Sequence, residues 1–235
     1  MKKPQFVDNY IYHVYNRGVE KRKTFLDDED RFRFIHDLFE LNDEAPVKNV
    51  YYYFDFKSSE VQPHYVQEER KPRKLLVEIL AFVLMPNHFH LLLRQKRKRG
   101  VVRFMQKLGT GYTMYFNQKY ERVGSLFQGR FKAVLVNEQP HFTFLPFYIH
   151  ANPLELIYRG STSLDWKKAI KYLENYRWSS FPDYVGKKNF PSVTSRKFLL
   201  EFFGGFEGYR KETEDLLREK QREQQLEAIA DVRLD

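Results

Sequence analysis

His88 and His90, in the run Phe82-Val83-Leu84-Met85-Pro86-Asn87-His88-Phe89-His90-Leu91-Leu92-Leu93, are the residues whose type and spacing best suit chemistry. On a strand, alternate side chains share a face, so the two imidazoles project together while Phe89 points the other way. Such a pair offers two of the roughly four to six donors that a divalent cation takes. For His-x-His without context, two partly buried histidines bonded to backbone are the commoner outcome, so the rest of the chain has to decide.

The chain has no cysteine, which excludes thiolate zinc sites, disulfides and cysteine nucleophiles and is compatible with a reducing compartment. If a protein of this kind breaks phosphodiesters, its nucleophile is water, serine or tyrosine. Tyrosine needs help, because its ordinary pKa near 10 makes it a poor nucleophile until metal or cationic neighbours stabilise the phenolate. Among 16 tyrosines, Tyr148 in Phe147-Tyr148-Ile149-His150-Ala151-Asn152-Pro153 stands out. Asn152, a polar residue able to ligate a metal, follows four residues later and so shares its helix face, whereas His150 points elsewhere. An aromatic that merely packs the helix on a sheet is the plainer reading of any one tyrosine.

The charge favours a polyanionic partner. The 235 residues carry 40 Lys and Arg against 31 Asp and Glu, a formal net charge of +9. Between Leu91 and Leu135 stand eleven basic residues and one acidic residue, Glu121, so this window nets +10 and the remainder of the chain is close to neutral. Localised charge marks a binding face, although a run such as Lys96-Arg97-Lys98-Arg99 alone would read as a solvated turn. Phosphate contacts are expected from Arg94, Lys96, Arg97, Arg130 and Lys132. Mean hydropathy is −0.64 and no apolar run approaches the ~18 residues of a membrane span, nor does Met1-Lys2-Lys3-Pro4-Gln5-Phe6 open a signal peptide, so a soluble intracellular protein is expected.

These residues need elements to hold them. Tyr10 to Tyr15 reads as a strand closed by Asn16-Arg17-Gly18, and Asp27 to Asp30 precede Phe32, Phe34, Ile35 and Leu38 at helical spacing. From Leu41 to Arg73 the sequence reads as a long excursion with one strand, at Val50 to Phe54. Leu75 to Leu84 and His88 to Leu93 are two antiparallel strands joined at Met85-Pro86-Asn87. An amphipathic helix is expected over Val101 to Lys119, a short strand over Phe131 to Val136, and a helix from Pro140 to Asn152 that Pro153 ends and Pro146 kinks or restarts. Asn152 is biased out of the helical region by the proline after it. Trp166 to Phe181 reads as a packed segment and Glu207 to Asp235 as a charged helical tail with few apolar anchors. The fold class is α+β, an antiparallel sheet with helices on one or both faces.

Taken together, Tyr12-His13-Val14 with Asn16-Arg17-Gly18, the acidic helix start at Asp27, Met85-Pro86-Asn87-His88-Phe89-His90, Leu126-Phe127-Gln128-Gly129-Arg130-Phe131-Lys132 and Tyr148-Ile149-His150-Ala151-Asn152-Pro153 resemble the HUH-type single-strand transposases with one catalytic tyrosine, most closely the REP-associated tyrosine transposases. The resemblance spans most of Tyr12 to Pro153. It implies a ferredoxin-like or RRM-like catalytic domain, taken as residues 1–160 with the excursion at about 41–73; residues 161–235, to which no motif of the resemblance extends, read from composition as a mainly helical C-terminal extension. It implies His88, His90 and Asn152 as ligands of Mg²⁺ or Mn²⁺, although imidazoles also accept Zn²⁺ or Ni²⁺. It further implies Tyr148 as the nucleophile, a 5′-phosphotyrosine intermediate with a free 3′-OH, and hairpin-forming single-stranded DNA as substrate. A cytoplasmic, nucleoid-associated place and a homodimer are compatible with it. Two competitors stay open at this level: an RRM-like module that binds single strands without cutting them, and an inactive or domesticated relative.

Overall fold

The computed structural model describes residues 4–45, 52–55, 60–63, 72–158 and 165–232. Its centre is a four-stranded, wholly antiparallel sheet of β1 (Ile11–Arg17), β4 (Val77–Met85), β5 (His88–Gln95) and β6 (Lys132–Val136), in the spatial order β4-β5-β1-β6. Helix α1 (Asp28–Glu40) follows β1 and helix α2 (Gly100–Lys119) follows β5, which gives the βαββαβ order of the ferredoxin-like and RRM-like sheet expected from the sequence.

The excursion between α1 and β4 contains a separate antiparallel pair, β2 (Tyr52–Asp55) with β3 (Glu60–Pro63). One strand was expected there and two are found; Val50 and Tyr51 of the expected strand lie outside the described residues. After β6 come α3 (Gln139–Ala151), a 3₁₀ turn over Asn152–Leu154, the single turn α4 (Glu155–Tyr158), α5 (Trp166–Asn175), α6 (Phe181–Tyr184), α7 (Lys197–Phe202) and α8 (Gly205–Val232).

Strand alternation decides which helices cover which face. On β5, Phe89, Leu91 and Leu93 point into a core with Tyr12 and Val14 of β1, Phe34, Ile35 and Leu38 of α1, and Phe104, Leu108 and Tyr112 of α2. Their neighbour Leu92 points to the opposite face, into a second core with Leu145, Phe147 and Ile149 of α3, Ala169, Ile170 and Leu173 of α5, Phe181 and Tyr184 of α6, and Tyr209 and Leu217 of α8. His88 and His90 share this second face. Because both faces are covered, the whole of β4 except Glu78 is buried, which explains its nearly continuous apolar run.

The segment after residue 160 is therefore part of the same packed body as α3. The first half of α8 supplies more anchors than its composition suggested, burying Tyr209, Thr213 and Leu217. Asp165 caps α5 by accepting from the backbone N–H groups of Lys167 and Lys168, as Asp27 caps α1 by accepting from Asp30. Among the described residues, no helix is long and apolar enough to cross a membrane.

Candidate active site

The two histidines stand where β5 leaves its turn with β4. Pro86 and Asn87 make that turn, and the chain around it is bound to the β1 end: Gly18 N–H donates to the Asn87 carbonyl at 2.8 Å, and Asn87 Nδ2 donates to the Lys21 carbonyl at 3.2 Å. Gly18 is required by space, since a Cβ there would sit 2.2 Å from the Arg22 carbonyl oxygen. The segment Leu126 to Lys132 closes the same corner. Gln128 N–H donates to the Arg17 carbonyl at 2.8 Å, Arg17 Nε donates to Gln128 Oε1 at 2.5 Å, and Asn16 Nδ2 donates to the Gly129 carbonyl at 3.2 Å. Three segments far apart in sequence are thus built into one rim.

At this rim each histidine has its Nδ1 engaged. His88 Nδ1 lies 2.7 Å from Asn87 Oδ1. A carboxamide oxygen only accepts, so the proton sits on Nδ1 and the Nε2 lone pair is left over. His90 Nδ1 lies 2.8 Å from Nε2 of His13, and the two rings are nearly parallel with centroids 5.0 Å apart. His90 too has only Nε2 left to offer. Burial pushes both imidazoles below the usual range, His90 to about 3 with help from its histidine neighbours, which keeps them neutral and able to donate a lone pair.

Helix α3 brings the tyrosine to the same place. It is one helix through Pro146 rather than restarting there. Asn152, which the following proline was expected to draw out of the helical region, has φ −47° and ψ −40° and begins the 3₁₀ turn. Its Nδ2 donates to the Tyr148 carbonyl at 2.7 Å, and the side chain borders the same cleft as His88. Tyr148, 43% exposed, sets its ring edge-on to His90 at 5.9 Å and to His13 at 6.2 Å. Burial first, then Glu155 and Tyr15, push its phenol above the usual range, so a phenolate here needs cations close by. His150 points away from the site, as expected, and is completely buried.

All four residues border one open cleft of about 960 Å³. Among the described residues, Arg17, Lys21, Lys23, Lys132 and Lys220 line it against a single carboxylate, Glu155, which suits a phosphate-bearing ligand. Of the five cations assigned to phosphate contact from sequence, Lys132 is in this cleft and Arg130 lines an adjoining groove beside α2. Arg94, Lys96 and Arg97 are not brought to it. They stand at the opposite end of β5, roughly 20 Å along the strand from His88. Glu78 forms ion pairs with both Arg94 and Lys96, at 3.1 Å for Lys96, and Arg97 lies 3.9 Å from Glu44. Sequence reading gave His13 no chemical role, and Arg17, Lys21 and Lys23 none either; only their place beside recurrent motif residues hinted at one.

The donor set fits a divalent cation: two imidazole Nε2 atoms and an amide oxygen on one wall of a cleft open to water. Among the described residues there is no cluster of three His, Cys, Asp or Glu that could hold a metal ion; the Asn152 amide borders the same cleft as the two histidines.

Comparison with known proteins bears on the fold and the family. No curated protein matches the chain. A solved structure of a REP-associated tyrosine transposase bound to a REP hairpin shares its fold, with a TM-score of 0.50 and 12% identity over 83% of this chain and 90% of the other. The family model for IS200-like transposases matches residues 6–152, which include β1, the histidine pair, Tyr148 and Asn152, and the chain belongs to that family.

Proposed function

We propose that the protein cleaves and rejoins single-stranded DNA through a covalent link to Tyr148, with His88, His90 and Asn152 holding Mg²⁺ or Mn²⁺. The observation that carries this reading is the placement of an exposed tyrosine ring edge-on to a metal-competent histidine, with Asn152 bonded to the tyrosine backbone and bordering the same cleft as His88. A divalent cation at that set supplies positive charge to the scissile phosphate and to the developing phenolate.

The chain's own residues do the rest. Lys132, with Arg17, Lys21 and Lys23, draws the DNA backbone into the cleft. Tyr148 Oη forms a bond to phosphorus as the bond to the 3′ oxygen breaks; the phenol gives up its proton and the departing 3′ oxygen takes one up. The products are a 5′-phosphotyrosine and a free 3′-OH, and attack by a 3′-OH on the link reverses the step without an external energy source. The hairpin in the related structure supports a hairpin-bearing strand as the substrate.

The test is a denaturing gel of the protein incubated with hairpin-bearing single-stranded DNA and Mn²⁺. An adduct mapping to Tyr148, lost in Tyr148→Phe while binding persists, is the expected result. An adduct on Tyr112, Tyr115 or Tyr120 would move the site, cleavage without adduct would favour a water-using nuclease, and binding without cleavage would favour a binding module.

A further inference from the structure

We infer that His13 is a positioning residue for the metal site, fixing the tautomer and ring plane of His90; the inference rests on the metal reading above. In the β1–β5 ladder, His13 lies opposite Leu92 and Tyr15 opposite His90. His13 and His90 are therefore diagonal neighbours on the same face, close enough for their side chains to meet. They meet edge to edge through nitrogen, at 2.8 Å, with both rings buried and nearly parallel, 18° apart. Tyr15 stacks on His90 as well, with centroids 5.6 Å apart, so the ring of His90 has little freedom to rotate.

The bond between the two imidazoles holds one proton, and its position decides what His90 can do. With the proton on His90 Nδ1, His13 Nε2 accepts and the His90 Nε2 lone pair is open to a cation. With the proton on His13 Nε2, His90 Nδ1 accepts, its own hydrogen moves to Nε2, and the metal-facing atom becomes a donor that repels a cation. His13 is thus the acceptor that selects the productive tautomer. Partners of this kind, one bond behind a ligating histidine, change metal affinity by about 10- to 100-fold when removed. The same side chain also meets the Tyr148 ring edge-on, with centroids 6.2 Å apart.

The experiment compares His13→Leu and His13→Gln with the parent protein at pH 7.5. Leucine fills the volume without an acceptor; glutamine places an amide oxygen near the position of Nε2. Mn²⁺ affinity is measured by calorimetry on metal-free protein, and the His90 tautomer by ¹⁵N shifts of its ring. The expected result is a 10- to 100-fold weaker Mn²⁺ affinity for His13→Leu, recovery to within about threefold for His13→Gln, and loss of the Nδ1–H form of His90 in the leucine variant alone. Binding of the single strand in EDTA should stay unchanged in both. Equal Mn²⁺ affinity in all three, or an unchanged His90 tautomer in His13→Leu, would overturn the proposal. If the parent itself binds no Mn²⁺, the metal reading fails, and the ¹⁵N comparison still decides whether His13 sets the tautomer. Should His13→Leu fail to fold, His13→Asn replaces it: its amide, one methylene short, should behave as leucine does, and an asparagine variant equal to glutamine would overturn the proposal.

Discussion

His150 Nδ1 lies 2.7 Å from the hydroxyl of Tyr209, and this bond ties the helix that carries Tyr148 to the C-terminal helix. The other ring nitrogen, Nε2, lies 2.7 Å from Ser180 Oγ, whose residue also receives the sheet: Phe82 N–H donates to Ser180 Oγ at 2.9 Å, and Ser180 N–H donates to the Phe82 carbonyl at 3.0 Å. Helix α3 is thus pinned two residues from its exposed tyrosine to both α8 and β4. Tyr209→Phe should leave His150 Nδ1 buried without a partner and cost about 1–3 kcal/mol in urea unfolding. A chain ending at residue 160, lacking the partners of Leu145, Phe147 and Ile149, should not give a cooperative transition.

The same histidine gives stability a pH dependence. Burial lowers His150 to about 3, and both its partners are hydroxyls rather than carboxylates, so nothing compensates a charge on the folded ring. The unfolded chain takes up a proton near the ordinary histidine value of about 6.5, so between there and about 3 it binds more protons than the folded one. Its contribution is complete above pH 6.5 and falls as the pH drops, by about 1.4 kcal/mol per pH unit for this one group. Urea melts of the parent and of His150→Gln between pH 7.5 and 4.5 should differ in slope by close to one proton; parallel curves would show that the ring is already charged or already exposed.

How far the sequence discloses this arrangement depends on the range of the forces involved. The strand pair around Pro86 and Asn87 and the helix that ends before Pro153 were legible because alternation, helical spacing and proline act locally. The strand Glu60–Pro63 was not, for it contains a proline, a glutamate and a glutamine and owes its state to pairing with Tyr52–Asp55. Arg94 and Lys96 read as phosphate contacts because Glu78, across the strand pair, is 16 and 18 residues away in sequence. His13 was visible as a motif residue and silent as a chemical one, since its contact with His90 is created by the register of β1 on β5. Tyr148 lies in the last turn of α3 and Asn152 caps it in the helical region, so their proximity could be read from a spacing of four.

Gly18 tests the corner that supports the histidines. A Cβ at this position meets the Arg22 carbonyl at 2.2 Å and Thr24 Cγ2 at 3.0 Å, and a backbone oxygen cannot swing aside as a side chain would. Gly18→Ala should therefore destabilise the fold by about 1–3 kcal/mol. Because Gly18 N–H also donates to the Asn87 carbonyl, next to His88, the variant should lose Mn²⁺ affinity at a temperature where it is still folded. A stable variant with unchanged affinity would show that the corner is not coupled to the metal site.

The last prediction separates the two groups of cations. Each phosphate contact on a single strand adds about 0.7 to the slope of log affinity against log salt. Lys132 lies in the cleft, and among the described residues it makes no ion pair, so its charge is available to DNA. Arg94 and Lys96 are held by Glu78 at the far end of β5, and Arg94 is also stacked over the Phe198 ring at 4.6 Å. The double variant Lys23→Ala with Lys132→Ala should lower the slope by about 1.4, twice the single contact. Arg94→Ala with Lys96→Ala should leave it unchanged, with at most about 1 kcal/mol of stability lost from the pairs with Glu78. Fluorescence anisotropy of a labelled hairpin-bearing strand, titrated in EDTA from 50 to about 300 mM salt, reads both slopes. If the second pair lowers the slope as much as the first, the strand runs the length of β5 and the ion pairs with Glu78 open on binding; if neither does, the cleft is not the path of the backbone.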